Sequence, residues 1–141
     1  ETVYNLEVDT EHVYYVTRDG VLVHNNGCGS RSKPWKDLIV GKPHGSASHR
    51  FRTLREAVRM AKSGKYSRVY VNRSLRRITN RLSGDARRPD VTGVRKGSGK
   101  LDMIEVPHPG QTPAQMGAKI DSMRDGLGNM AGPGSKVEPI R

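Results

Sequence analysis

Polar and apolar residues alternate at the start of the chain with the period of two that marks a β-strand. Val3, Asn5, Glu7 and Asp9 fall on one side, and Tyr4, Leu6 and Val8 on the other. Val13-Tyr14-Tyr15-Val16 is β-branched and aromatic, Asp19-Gly20 is a hairpin turn signal, and Val21-Leu22-Val23 reads as a short returning strand. Three strands in so short a stretch bury too little to stand alone, so this segment is expected to be a piece of something larger or to pack on the rest. Residues 27–50 are rich in Gly, Ser, Lys and Pro and read as linker, with Trp35 and Leu38-Ile39-Val40 as the only anchors.

The period then lengthens. Thr53 is a good N-cap with Glu56 three residues on, the capping-box spacing; Leu54, Ala57, Val58 and Ala61 supply the apolar stripe, and Gly64 is the stop. Val69-Tyr70-Val71 reads as a strand. Leu75, Ile78 and Leu82 recur at helical spacing on a second, very basic helix carrying Arg73, Arg76, Arg77 and Arg81. Two strands follow, roughly 89–95 and 100–106, joined by Lys96-Gly97-Ser98-Gly99. A last helix is predicted from Thr112 as N-cap, with Pro113 at N1, Gln115 at N3 and a stripe of Met116, Ile120, Met123 and Leu127. Residues 137–140 form a candidate edge strand. The order after residue 50 is α, β, α, β, β, α, which predicts an α/β or α+β layered fold.

Charge changes the picture next. The 141 residues carry 25 Lys and Arg against 14 Asp and Glu, a net +11. Residues 1–26 hold five acids and one base, for −4, which leaves +15 on residues 27–141. Two units with different roles are implied, with a boundary at residue 26, and the basic unit suits a polyanion. No apolar run approaches the roughly 18 residues of a membrane span, so no membrane partner is expected. Cys28 is the sole cysteine, so no intrachain disulfide framework exists.

The predicted hairpin brings two acids together. With the turn centred between Gly97 and Ser98, Arg95 faces Lys100 and Asp90 faces Glu105. Directly opposed side chains stand about 4.5–5.5 Å apart at Cβ, where like charges repel. Two carboxylates so placed favour a shared proton or a divalent cation between them, Mg²⁺ above all in a chain suited to phosphates. The alternatives are a register slip, or pairing of the two acids with Arg87, Arg88 or Arg95.

Arg87-Arg88-Pro89-Asp90-Val91, a Gly-containing turn, Leu101-Asp102-Met103-Ile104-Glu105-Val106 and then Gln111-Thr112 leading into a helix resemble the central hairpin of the PD-(D/E)XK nuclease superfamily. The likeness is to the restriction-endonuclease-like toxin domains at the C-terminal tips of bacterial polymorphic toxins, and it spans roughly residues 49–125. It implies a restriction-endonuclease-like core over residues 49–141, with a hairpin-containing sheet flanked by helices. It implies metal binding by Asp90 and Glu105, completed by Glu56 on the preceding helix, whose other reading is the capping box. The implied cofactor is Mg²⁺, with Mn²⁺ or Zn²⁺ as substitutes. The superfamily's lysine would fall where this chain has Pro107; Lys119 on the following helix is the candidate to replace it, with Gln111 orienting water or substrate and His108 ranked below both. Arg73, Arg76, Arg77, Arg81, Arg87 and Arg88 are the expected phosphate contacts, the alternative being a solvated basic face. Phe51, Tyr66 and Tyr70 are the only aromatics after residue 50, too few for a base-stacking platform, so duplex DNA is favoured.

The front segment, through Val3–Val8, His12, Tyr14-Tyr15-Val16 and Gly20-Val21-Leu22-Val23-His24-Asn25, resembles the end of a Hint domain, the intein-related self-cleaving fold placed before such toxins. The resemblance implies cyclisation of Asn25 assisted by His24 and His12. The upstream half of such a domain is missing, so no autonomous cleavage is expected; the other reading is an ordinary hairpin and polar turn.

The leading expectation is therefore a metal-dependent DNase acting as the effector of an interbacterial toxin. As implied by the family, it would be secreted by its producer, delivered to a target-cell cytoplasm and met by an acidic cognate immunity protein. The runner-up is a metal-independent RNase using His44, His49 or His108 with arginines. A third reading is a non-catalytic nucleic-acid-binding module.

Overall fold

The computed structural model describes residues 4–8, 11–16, 21–24, 34–81 and 84–139, the first three stretches by their backbone. Strands β1 (Tyr4–Val8), β2 (Glu11–Val16) and β3 (Val21–His24) form an antiparallel sheet in chain order, with Tyr4 opposite Tyr15 and Val13 opposite His24. The strands foreseen from the alternating pattern are present. His12 and His24 lie in β2 and β3, while Asn25 is outside the described residues.

The remainder is a mixed α+β unit. Its elements are α1 (Pro34–Asp37), β4 (Ile39–Gly41), α2 (Ala47–Lys62), β5 (Tyr66–Val71), α3 (Leu75–Thr79), β6 (Val91–Arg95), β7 (Leu101–Glu105), α4 (Pro113–Leu127) and β8 (Lys136–Val137). The sheet runs β4-β5-β6-β7-β8: β4 is parallel to β5, β5 to β7 are antiparallel, and β8 is parallel to β7. Strand alternation divides the core. On one face Ala57, Val58 and Ala61 of α2 pack with Trp35, Val69, Val71, Val91 and Ile104. On the other, Ile120, Met123 and Leu127 of α4 pack with Leu75, Leu101 and Met103. Neighbours in β7 thus point to opposite helices. Among the described residues, no helix is long and apolar enough to cross a membrane.

Several expectations are corrected. The described part of the stretch read as linker contributes α1, with Trp35 in the core, and β4, hydrogen-bonded beside β5; a three-residue strand is too short to show a period. Helix α2 starts at Ala47, capped by Ser46, whose side chain accepts from the His49 N–H at 3.3 Å. Thr53 is therefore buried mid-helix rather than a cap, Glu56 is no capping-box partner, and a unit beginning at residue 49 would cut into α2. The first two turns of α2 carry Ser48, His49, Arg50, Arg52 and Thr53, so the apolar pattern does not reveal where the helix starts. The second basic helix is one short turn and more: Asn80, with φ of 55°, ends it, so Arg73 precedes α3, Arg81 follows it and no continuous basic helical face forms.

The hairpin takes the foreseen register. Val91 pairs with Ile104 and Val94 with Leu101, and the Arg95 N–H donates to the Lys100 carbonyl at 2.8 Å. Gly97 and Gly99, with φ of 78° and 68°, let the turn close. Helix α4 has its full capping box between Thr112 and Gln115 and buries the foreseen stripe. The edge strand forms at Lys136–Val137, slightly ahead of the expected 137–140.

Candidate active site

Asp90 and Glu105 stand at the same end of the sheet, one residue beyond the last β6–β7 pair of the ladder. Alternation places Glu105 with Leu101 and Met103 on the α4 face, and Asp90 with Thr92 and Val94 on that same face. Both carboxylates are buried, at 5% and 2% exposed. They line a cavity of about 320 Å³ together with Lys119 and Met116 of α4, His108 and Gln111 of the loop between β7 and α4, His44, Arg88 and Asn72. Two of the three alternative partners, Arg95 and Arg87, are engaged elsewhere. Arg95 Nε donates to Asp102 Oδ2 at 2.7 Å, and Arg87 Nε donates to Asp85 at 2.8 Å.

Lys119 Nζ lies 2.9 Å from Glu105 Oε1. The lysine sits at the margin of the α4 stripe, three residues after Met116, which turns it toward the strand end. Burial, and then the charge of Asp90, push the Glu105 carboxyl up to about 7 despite the opposing pull of Lys119. Asp90 goes the other way. Burial opposes its ionisation, but hydrogen bonding from His49, the Val106 N–H at 2.8 Å and the charges of His49 and His44 together outweigh it and hold its pKa below the usual range. One acid is thus ionised and its neighbour poised near neutrality, the asymmetry that divides acid and base roles between paired groups.

Three histidines surround Asp90. His49, on the first turn of α2, is 2% exposed. Its Nδ1 lies 2.9 Å from the His44 carbonyl and its Nε2 3.0 Å from the Val106 carbonyl, with Asp90 Oδ2 at 3.5 Å. A ring with acceptors at both nitrogens satisfies them only when both carry protons. Burial disfavours that charge, but Asp90 and the two carbonyls prevail and raise the His49 pKa. His108 stacks on His49, centroids 3.8 Å apart and planes 9° from parallel; burial first, and then the His49 charge, lower its pKa. His44 Nε2 is 3.3 Å from Asp90 Oδ1. Gly45, with φ of 89°, makes room, since a Cβ there would stand 3.0 Å from His108 Cε1.

Glu56 is not in this cavity. It lies on α2, beneath the opposite face of the sheet, paired with Arg59 and lining a separate cavity of about 300 Å³ with Arg55, Lys136 and Glu138. Its expected role as third metal ligand is corrected: the sheet itself separates it from Glu105. Gln111 is present, but its Oε1 accepts from the His108 N–H at 2.9 Å and its own N–H donates to the His108 carbonyl, so it braces the loop.

Of the expected phosphate contacts, Arg88 lines the cavity, and Arg76, Arg77 and Arg81 are exposed. Arg73 lies over the Tyr70 ring at 5.4 Å. Arg87 is held by Asp85 and by Ser122 Oγ at 2.9 Å, which makes it a brace between the β6 approach and α4. Asp90 and Glu105 are the residues able to hold a hard cation; among the described residues no group of three or more His, Cys, Asp or Glu side chains is arranged as a metal cluster.

Sequence reasoning named His49 only for the alternative RNase mechanism, not beside Asp90, and did not single out Asn72. His49 precedes Glu56 by two helical turns on the same face, and reading the helix start from Ser46 would have carried it into view. No family model, curated protein or solved structure matches the chain.

Proposed function

We propose that the chain is a metal-dependent phosphodiesterase of the restriction-endonuclease-like kind, a nuclease that acts on duplex DNA. The observation that carries this reading is the meeting of Asp90, Glu105 and Lys119 in one cavity beside Arg88. Asp90 and Glu105 would hold Mg²⁺, with Mn²⁺ or Zn²⁺ as substitutes. The fit rests on the electrostatics: Glu105 is driven toward its protonated form by burial and its neighbour, which a divalent cation would reverse. Mg²⁺ is commonly bound through one or two carboxylates, water and substrate phosphate. Such an ion supplies Lewis acidity and an activated water. Lys119 places an ammonium where charge develops on the phosphate. His49 keeps Asp90 ionised and oriented, and Arg88 with Arg76, Arg77 and Arg81 draws in the strand without reading sequence.

A second reading has its own observation. His44, His49 and His108 converge on Asp90, and a low-pKa His108 next to a cationic His49 is an acid–base pairing suited to attack by a ribose hydroxyl, that is, a metal-independent RNase.

In biological terms we infer an interbacterial toxin effector, secreted, delivered into a target cell and neutralised by an acidic immunity protein; the sequence resemblance and the +15 on residues 27–141 support this. The Hint-like front segment, with His12, His24 and Asn25, belongs to the same reading. The test is incubation of the full chain with plasmid and total RNA, with Mg²⁺ or EDTA. Plasmid degradation lost in EDTA supports the DNase. RNA degradation persisting in EDTA favours the histidine mechanism. Binding without degradation leaves the non-catalytic module.

A further inference from the structure

Two asparagines adopt left-handed backbone conformations, Asn72 with φ of 51° and Asn80 with φ of 55°. Asn80 closes α3, its N–H bonding back to the Arg76 carbonyl, a common use of that conformation. Asn72 closes no helix. It follows β5, where its N–H donates to the Asp90 carbonyl at 3.0 Å. Its side chain has no hydrogen-bond partner among the described residues, so the local bond that usually draws Asn to this conformation is not made. It lines the cavity of Asp90, Glu105 and Lys119 instead. Glycine would hold this backbone with less strain, and strained residues concentrate where a site uses them.

Arg88 lines the same cavity. Arg87 beside it is held by Asp85, whereas Arg88 is exposed and makes no ion pair or hydrogen bond among the described residues. Two side-chain donors with no acceptor thus line the same cavity as the carboxylate pair and Lys119, with Asn72 bonded through its backbone to Asp90. We propose that Asn72 and Arg88 together clamp a phosphate of the substrate strand, the Asn72 amide and the Arg88 guanidinium both donating to its non-bridging oxygens. The strand is thereby set against Asp90 and Glu105. This deepens the nuclease reading and rests on it for the identity of the ligand.

The test uses Asn72→Gly, which keeps the left-handed backbone and deletes only the amide. Duplex binding is measured on the full chain by fluorescence anisotropy in EDTA, plasmid cleavage in Mg²⁺, and thermal unfolding alongside. The variant is expected to melt at or above the wild-type temperature, while Kd and KM each rise roughly tenfold, as for a lost hydrogen bond to a charged group. Asn72→Asp, nearly isosteric but anionic, is expected to weaken binding further. Arg88→Ala is expected to weaken it and reduce the salt slope by about one. Asn72→Gly with wild-type Kd and KM overturns the clamp, as does a loss that tracks a lowered melting temperature. A wild-type chain that binds duplex but cuts nothing overturns the nuclease reading and leaves the clamp standing; one that binds no duplex overturns both.

Discussion

Two pairs of buried carboxylates lie on opposite faces of one sheet, and they are treated differently. On the α2 face Glu138 accepts from Arg52 Nε at 3.0 Å and from Arg55 Nη2 at 2.7 Å, while Glu56 accepts from Arg59. Three guanidiniums serve two acids, and Arg52 also donates to the Pro107 carbonyl, tying the C-terminal segment to the loop after β7. On the α4 face Glu105 has one ammonium, Asp90 has imidazoles, and Glu105 is pushed up to about 7. Burial of acids alone therefore marks nothing. What distinguishes the second pair is charge left unmet within a cavity, the condition that favours a cation or a proton in transit.

The contrast breaks most sharply under mutation. Asp90→Asn and Glu105→Gln should each reduce plasmid cleavage by more than about 1,000-fold, above the usual loss for one transition-state hydrogen-bond donor, while Glu56→Gln retains activity per folded molecule. Initial rates normalised to the folded fraction check this. Lys119→Met should cost about 100-fold in kcat, and should raise the Glu105 pKa further, since Lys119 now lowers it. The opposite signature belongs to Glu138→Ala. It frees two arginines that water partly reaches, at 22% and 36% exposed, so a loss of about 2 kcal/mol is expected, visible in urea titration with kcat unchanged.

The pH dependence of stability sharpens the same comparison. Glu105 holds its proton more tightly when folded than unfolded, because its pKa rises from the usual 4.5 to about 7. Between those values the folded state binds the extra proton, so its contribution to stability falls as pH rises through that window and levels off above it. Asp90, with a lowered pKa, contributes in the reverse sense, losing its stabilisation as pH falls through the acid range. Denaturation midpoints of wild type and Glu105→Gln should therefore converge toward the acid end of the window and diverge toward pH 7, wild type being the less stable there. The smallest effect is expected for Arg76→Ala and Arg77→Ala, each lowering the salt slope of duplex binding by about one without altering kcat.

The part of this arrangement legible from the chain is the part set by local chemistry. The Lys96–Gly99 turn fixes the hairpin register, and with it the placing of Asp90 against Glu105; Thr112, Pro113 and Gln115 fix the start of α4, which delivers Lys119. The obscured parts depend on distant partners. The strand β4 exists because β5 offers an edge, and three residues carry no period. Helix α2 begins early because Ser46 caps it and the His44 and Val106 carbonyls hold His49, contacts that span 57 residues of chain between His49 and Val106. The assignment of Glu56 to the metal failed because helical spacing shows which residues share a helix face but not which side of the sheet that helix covers.

The most direct test of the central contrast is equilibrium binding of Mn²⁺ to the full chain, read by calorimetry without nucleic acid. One ion per chain is expected, lost in Asp90→Asn and in Glu105→Gln and retained in Glu56→Gln. Undiminished binding in Glu105→Gln, or loss in Glu56→Gln with the fold intact, would contradict the account.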